Sequence, residues 1–140
     1  MNYKKKIKSE GNYKEWIYDT KNGLQFKCFI RRNMRMNNLC GYVEITKDNK
    51  LFGLNYLDIE IPLNVHGGIT WSDLENDNWV FGFDCAHYND MIFNENFIPR
   101  GSGEYKDMDY VTKECEQLAE QLSEFSISIE RNKKIDDCLD

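Results

Sequence analysis

Several features that mark common protein classes are missing from this sequence. It has no apolar run near the length of about 20 residues that a membrane-spanning helix needs. The lysines near its N-terminus are not followed by the apolar segment of a secretory signal. Its five cysteines form no CxxC pair and lie far apart, so we expect no disulfide framework. These absences argue against a membrane protein or a secreted protein and favour a reducing cytoplasm.

Motifs with a known catalytic mechanism are missing as well. The sequence contains no nucleophile elbow, no phosphate-binding loop and no metal-hydrolase motif. Internal repeats and interdomain linkers are also absent from it. What is present, 140 residues of which 41% are hydrophobic and 14% aromatic, predicts one globular domain with a substantial core.

The charge is distributed unevenly along the chain. The net charge is −6, yet residues 1–35 carry +7, residues 36–100 carry −7 and residues 101–140 carry −6. Basic segments can contact nucleic acid or an acidic partner. Because the run of lysines is short and the rest of the chain is acidic, nucleic acid is not an expected partner. We expect residues 1–12 to form a polar, mobile lead, either solvated or lying on the protein's own acidic surface.

Alternating apolar and polar residues predict strands at 25–31, 40–45 and 56–61. Residues 13–19 fit either a strand or a short helical turn, and the dipeptide at 22–23, Asn-Gly, predicts a turn. Residues 126–130 could add one further short strand.

The clearest predicted helix follows Asp107, a residue type that caps helix N-termini. Its apolar residues recur three or four positions apart and form one stripe. They are Val111, Cys115, Leu118, Leu122 and Phe125. The sequence thus predicts an α+β fold, in which an antiparallel sheet of about five strands carries one long C-terminal helix on its apolar face. This domain spans residues 13–132, and residues 133–140 form a frayed tail.

The two segments 65–71 and 79–85 predict a hairpin around the polar loop 73–77. Matching their apolar faces sets Trp71 opposite Trp79. A slip of one residue would mix the two faces, so the parity of this register is well constrained.

The other face of this hairpin predicts a functional site. Between residues 65 and 90 lie both histidines, two of the three tryptophans and three of the nine glycines. The register sets His66 opposite Asp84 and Gly68 opposite Gly82, which leaves a bare patch of backbone. A ligand, a phosphate, a partner chain or another part of the fold can approach such a patch. The predicted ligand-binding residues are His66, Gly67, Gly68, Thr70, Gly82, Asp84, His87 and Asp90.

Catalysis is an open alternative. His66 as a general base oriented by Asp84 is chemically sensible, although a structural hydrogen bond is the more common meaning of such a pair. A nucleophilic pair of Cys85 with His66 is disfavoured, because the register turns the two side chains to opposite faces.

A metal site is a second alternative. Asp58, Glu60, His66 and Asp84 would share one face and offer ligands for Mn²⁺, Mg²⁺ or Zn²⁺. Another set, without standard spacing, is Cys85, His87 and Asp90. Because carboxylates on an exposed strand are usually only solvated, we expect neither a metal nor another cofactor.

The chain resembles a family of small uncharacterised proteins from bacteriophages and prophages. The resemblance covers roughly residues 40–123 and depends most on the paired segments HGGIT (66–70) and GFDCAH (82–87). It extends to Gly41-Tyr42-Val43, Tyr56, Trp79, Asp90, Tyr105, Asp109-Tyr110-Val111 and Leu118–Leu122. It implies a phage origin and a location in the host cytoplasm, but no reaction.

The function predicted from these observations is binding rather than catalysis. We expect a small phage accessory protein that captures a host molecule, either a nucleotide-like signal or a defence protein. Paired glycines would let backbone N–H groups approach a phosphate. The alternative is a metal-dependent or His/Asp acid–base hydrolase that acts on a small phosphorylated substrate. A homo-oligomer is left open.

Overall fold

The computed structural model describes residues 1–59 and 61–139 and confirms the α+β fold. A sheet of five antiparallel strands lies against one long C-terminal helix. None of the helices in these residues combines the length and the apolar character needed to cross a membrane. The elements are α1 (Tyr3–Glu10), β1 (Tyr13–Asp19), β2 (Gln25–Arg32), β3 (Leu39–Ile45), a 3₁₀ turn (Tyr56–Asp58), β4 (Trp71–Glu75), β5 (Asn78–Asp84), β6 (Ile92–Phe93), β7 (Pro99–Arg100) and α2 (Met108–Leu139).

The core lies between the sheet and α2. The strand order is β1-β2-β3-β5-β4, and α2 packs on the face formed by β2 and β3. Four residues of the predicted helical stripe are fully buried there: Val111, Cys115, Leu118 and Leu122. The carboxylate of Asp107 accepts the backbone N–H of Tyr110 at 2.9 Å and caps the helix as predicted.

The N-terminal segment is a docked helix, so the expectation of a mobile lead was wrong. Asn2 caps α1 by accepting the backbone N–H of Lys5 at 3.1 Å. Ile7 is 1% exposed. The carboxylate of Glu10 accepts the backbone N–H of Met108 at 2.7 Å, which ties α1 to the start of α2. Burial of one apolar side chain together with this hydrogen bond outweighs the polar composition of the segment.

The predicted register of the hairpin was wrong. Asn76 and Asp77 have φ values of 51° and 69°, which form a two-residue turn of type I′. The strands therefore continue to this turn, and residues 73–75 belong to β4 rather than to a loop. Trp71 pairs with Gly82 instead of lying opposite Trp79.

This register removes the bare patch that the sequence predicted. The side chains of Tyr42 and Trp71 cover Gly82, and a Cβ atom there would lie 2.8 Å from the Tyr42 ring. Gly68 lies outside β4, in a turn closed by its own N–H and the carbonyl of Val65 at 2.9 Å. The two glycines are therefore not paired.

Three smaller expectations were also wrong. Residues 56–58 form the 3₁₀ turn rather than a strand, because the side chain of Asn55 accepts the backbone N–H of Leu57 at 2.9 Å and caps it. Residues 126–130 continue α2, since Ser126 and Ile129 both pack toward the core. The helix extends through most of the predicted frayed tail, to Leu139.

Candidate functional site

His66 lies at the centre of a hydrogen-bonded chain of three side chains. His66 belongs to the turn before β4, Asp90 to the loop after β5, and Tyr110 to the first turn of α2. Nε2 of His66 lies 2.8 Å from Oδ2 of Asp90, and Nδ1 lies 2.8 Å from the hydroxyl oxygen of Tyr110. Because an ionised carboxylate can only accept, Nε2 donates to Asp90, and in the tautomer with its one proton on Nε2 the ring accepts from Tyr110 at Nδ1.

Asp90 orients this chain from a buried position. Its residue is 4% exposed, its Oδ2 accepts the backbone N–H of His87 at 3.0 Å, and the ammonium of Lys106 lies 3.4 Å from Oδ1. Burial raises the pKa of the Asp90 carboxyl, but the hydrogen bonds from His66 and His87 and the charge of Lys106 outweigh it and lower the pKa below its ordinary value. Asp90 is therefore ionised at neutral pH.

A second histidine–carboxylate pair lies beside the first. Nε2 of His87 is 3.5 Å from Oδ1 of Asp84, and the rings of the two histidines have centroids 5.8 Å apart. Asp84 also accepts the hydroxyl of Thr70 at 3.2 Å. The predicted pairing of His66 with Asp84 was wrong, because the turn that carries His66 is not part of the paired strand β4.

Gly67 permits the close approach of the two loops. Its φ is +67°, and a Cβ atom at this position would lie 2.1 Å from Nε2 of His87. Both the positive φ and the close contact with His87 therefore require glycine at this position. The neighbouring Gly68 has a φ of +81° and nothing within 4 Å of a Cβ atom. Of the eight predicted binding residues, Gly82 alone is placed elsewhere, under Tyr42 and Trp71.

Cys85 lies behind the His66–Asp90 pair. An imidazole nitrogen of His66, Sγ of Cys85 and a carboxylate oxygen of Asp90 all lie within 4.8 Å of one another. Burial, followed by the charge of Asp90, raises the pKa of the Cys85 thiol well above its ordinary value. The thiol is therefore protonated at neutral pH and is a poor nucleophile.

The two metal-ligand sets predicted from the sequence do not assemble as written. In the part of the chain that the structure describes, Asp58 and Asp84 do not join His66 in a group with metal-ligand distances. Glu60, the fourth residue of that set, lies outside the described residues. In the other set, His66 takes the place predicted for His87.

Two members of the site were missed by the sequence reasoning. Tyr110 and Lys106 flank Asp107, the N-cap of α2, and approach the cluster from the helix N-terminus. The sequence signal for them was the N-cap itself, since it fixes where the helix begins. What the sequence did not show was that this helix end lies beside residues 66 and 90.

Comparisons of the chain with models of protein families, with curated proteins and with solved structures found no match. The resemblance to a phage family therefore stays a prediction.

His66, Asp84, His87 and Asp90 together form what we call the histidine cluster. A second candidate site shares no residue with this cluster. We name it the basic cavity: a surface cavity of about 680 Å³ between the turn 33–36 and residues 92–95, with Arg100 at its side. Its two walls are joined by the backbone N–H of Phe93, which donates to the carbonyl of Met36 at 2.8 Å. Arg35 and Arg100 both line it, together with one carboxylate, that of Glu95. Among the described residues neither guanidinium has a carboxylate within 4.0 Å.

Lysines of α1 lie close to this cavity. The ammonium groups of Lys4 and Lys8 are 6.0 and 5.9 Å from the ring centroid of Phe97. Phe97 follows the cavity residues on the same loop, and its backbone N–H donates to the carbonyl of Asn94 at 3.0 Å. The docking of α1 thus places two ammonium groups next to the loop that forms one wall of the cavity.

Proposed function

We propose that this chain is a small phage accessory protein that acts in the host cytoplasm and captures a phosphate-bearing, nucleotide-like host molecule. The proposal depends on the basic cavity, because Arg35 and Arg100 line one space and neither guanidinium has a carboxylate within 4.0 Å among the described residues. Guanidinium groups bind phosphate through two parallel hydrogen bonds. Capture of such a signal would counter a host defence.

The size and lining of the basic cavity suit such a ligand. Its volume of about 680 Å³ lies within the range of roughly 300–1,000 Å³ that is usual for small-molecule pockets. Met34 and Met36 add apolar surface for a base, and methionine adapts to varied shapes. These features favour a small ligand over a defence protein as the captured molecule.

The other candidate locations suit a phosphate less well. A cavity of about 570 Å³ at the opposite end of the sheet is lined by three carboxylates, Glu44, Asp48 and Glu130, against two lysines, whereas the basic cavity has one carboxylate against two arginines. The histidine cluster holds Asp84 and Asp90, whose charges repel a phosphate. The predicted ligand therefore fits the basic cavity better than the hairpin that first suggested it.

Native mass spectrometry of the protein purified from infected or signal-producing cells tests this proposal. We expect one phosphorus-containing small molecule per chain, and we expect it to be lost when Arg35 and Arg100 are both replaced by alanine. Arg131→Ala, an exposed arginine near the far end of α2, is the matched control and should keep the ligand. A ligand retained by the double variant, or no ligand with wild-type protein supplied with nucleotides, would contradict the proposal.

A hydrolase is the second candidate function, and one observation favours it. Tyr110, His66 and Asp90 form a continuous hydrogen-bonded chain that ends at a 37% exposed tyrosine. A histidine held this way can act as a general base on a group at the surface. Stoichiometry separates the two candidates, since a binder releases intact ligand, one per chain, whereas an enzyme makes many products per chain. His66→Ala should abolish turnover and leave capture in the basic cavity unchanged.

A further inference from the structure

Three side chains of different chemistry converge beneath the turn 65–68. They are His66, Cys85 and Asp90, and one ligand atom from each lies within 4.8 Å of the others. Cys85 is 2% exposed and Asp90 is 4% exposed, so two of the three are shielded from water. Nitrogen, sulfur and carboxylate oxygen are together the ligand types that bind zinc in proteins.

The two oxygens of the Asp90 carboxylate face different neighbours. Oδ1 is buried and has no hydrogen-bond donor among the described residues, with only the Lys106 ammonium nearby at 3.4 Å. Oδ2, on the other side of the same carboxylate, faces Nε2 of His66 at 2.8 Å.

The surroundings of the three residues match those of metal ligands. A histidine that binds a metal through one nitrogen usually donates its other N–H to a nearby group. Here Nδ1 of His66 already contacts the hydroxyl of Tyr110 at 2.8 Å. The backbone N–H of His87 holds Asp90 at 3.0 Å, and Lys106 stays on the oxygen that faces away from His66.

We propose that His66, Cys85 and Asp90 form a binding site for one Zn²⁺ ion. Three protein ligands leave a fourth position open, which is the arrangement of catalytic rather than structural zinc. The site shares no residue with the basic cavity, so the proposal does not depend on nucleotide capture. It does use His66 and Asp90, and a zinc ion on His66 would replace the role of this residue as a general base. It also differs from both metal-ligand sets that the sequence suggested.

Binding requires the three ligand atoms, which lie within 4.8 Å of one another, to move to zinc-bonding distance from one ion. Zinc bonds of about 2.0–2.2 Å would separate Nε2 and Oδ2 by roughly 0.5 Å more than the present 2.8 Å. The imidazole proton moves from Nε2 to Nδ1, where it is donated to the Tyr110 oxygen, and the tyrosine hydroxyl hydrogen turns toward solvent. The Cys85 thiol releases one proton to water as its thiolate binds the metal.

Cobalt substitution of the chelator-treated full chain tests the site, because Co²⁺ bound to a thiolate absorbs in the near ultraviolet. We expect one Co²⁺ per chain with this absorption, and its loss when Zn²⁺ is added. Cys85→Ser should remove the absorption and weaken Zn²⁺ binding more than about 100-fold, beyond the range for loss of a merely supporting residue. Cys40→Ser, at a half-buried cysteine outside the group, is the matched control and should behave as wild type.

Two results would overturn the proposal. One is a folded wild-type protein that shows no thiolate absorption with Co²⁺. The other is absorption that persists in Cys85→Ser, which would assign the metal to another thiol. If Cys85→Ser fails to fold, His66→Gln tests the same site. The His66 side chain is 14% exposed, so the fold should tolerate its replacement better, and loss of this ligand should also weaken metal binding.

Discussion

At the scale of single residues, the histidine cluster depends on one glycine. Gly67 lets the turn 65–68 approach His87 so closely that no side chain fits between them. The backbone there is also left-handed, which a residue with a Cβ atom adopts at a cost of about 1–2 kcal/mol.

Gly67→Ala should therefore destabilise the protein by more than Gly68→Ala. Both positions have positive φ, but only Gly67 has a neighbour within 4 Å of the added methyl group. We expect Gly68→Ala to cost about 1 kcal/mol, from backbone strain alone, and Gly67→Ala to cost clearly more. Urea unfolding of the two variants measures the difference. Equal losses would mean that the contact with His87 is absent.

Asp90 should make the free energy of unfolding depend on pH in the acidic range. Its pKa is lowered in the folded protein, so its contribution is present above the ordinary carboxyl pKa of about 4 and is lost as the pH falls through the folded value. Asp90→Asn should cost about 2 kcal/mol at pH 7, the value for hydrogen bonds to a charged group. This difference from wild type should shrink at pH 3.

Chemical denaturation at both pH values measures this effect of Asp90. Asp84→Asn is the reference, because Asp84 has a 33% exposed side chain and a longer contact to its histidine. A loss that stays the same at pH 3 would show that Asp90 does not act through its charge.

Composition identified the residues of the cluster, but their partners could not be predicted. Histidines, glycines and carboxylates concentrated in 65–90 predicted a site, and the structure brings seven of the eight named residues close together. Their role in ligand binding stays a prediction. The pairing of His66 with Asp90 depends on how the loop after β5 folds back. No periodicity describes such a loop, so sequence patterns carry no information on it.

At the scale of elements, the turn between β4 and β5 decides the register. Asn76 and Asp77 both have positive φ without being glycine. Asp77→Gly should stabilise the protein by roughly 1 kcal/mol, because glycine adopts this conformation without strain. Thermal unfolding measures this gain. Asp73→Gly, in the middle of β4, is the control and should destabilise the protein. If Asp77→Gly destabilised the protein and Asp73→Gly stabilised it, the results would support a five-residue loop at 73–77 instead of the two-residue turn.

Periodic elements were predictable and the hairpin register was not. Strands β2 and β3 and the helix α2 follow directly from apolar spacing. The sequence did not indicate the turn at 76–77, because this turn contains no glycine. Asp73 and Glu75 also made the end of β4 resemble a polar loop. The short helix α1 was missed because a single buried residue, Ile7, docks it.

At the scale of the whole molecule, folding collects charge that the sequence spreads out. The chain is acidic overall at −6, yet Arg35 and Arg100 line one cavity, and two lysines of α1 lie beside Phe97 on the adjoining loop. Two guanidinium groups against one carboxylate, Glu95, favour an anionic ligand in that cavity. Sequence totals could not show this, because the three segments are far apart in the chain.

Calorimetric titration of the protein with mononucleotides and dinucleotides, linear and cyclic, measures whether the basic cavity binds a nucleotide-like anion. We expect one ligand per chain, an affinity that falls with added salt, and a loss of roughly tenfold to a hundredfold for Arg35→Ala or Arg100→Ala, as expected for hydrogen bonds to a charged group. Arg131→Ala should bind like wild type. No binding by any of these ligands, or equal binding by wild type and both cavity variants, would contradict the account.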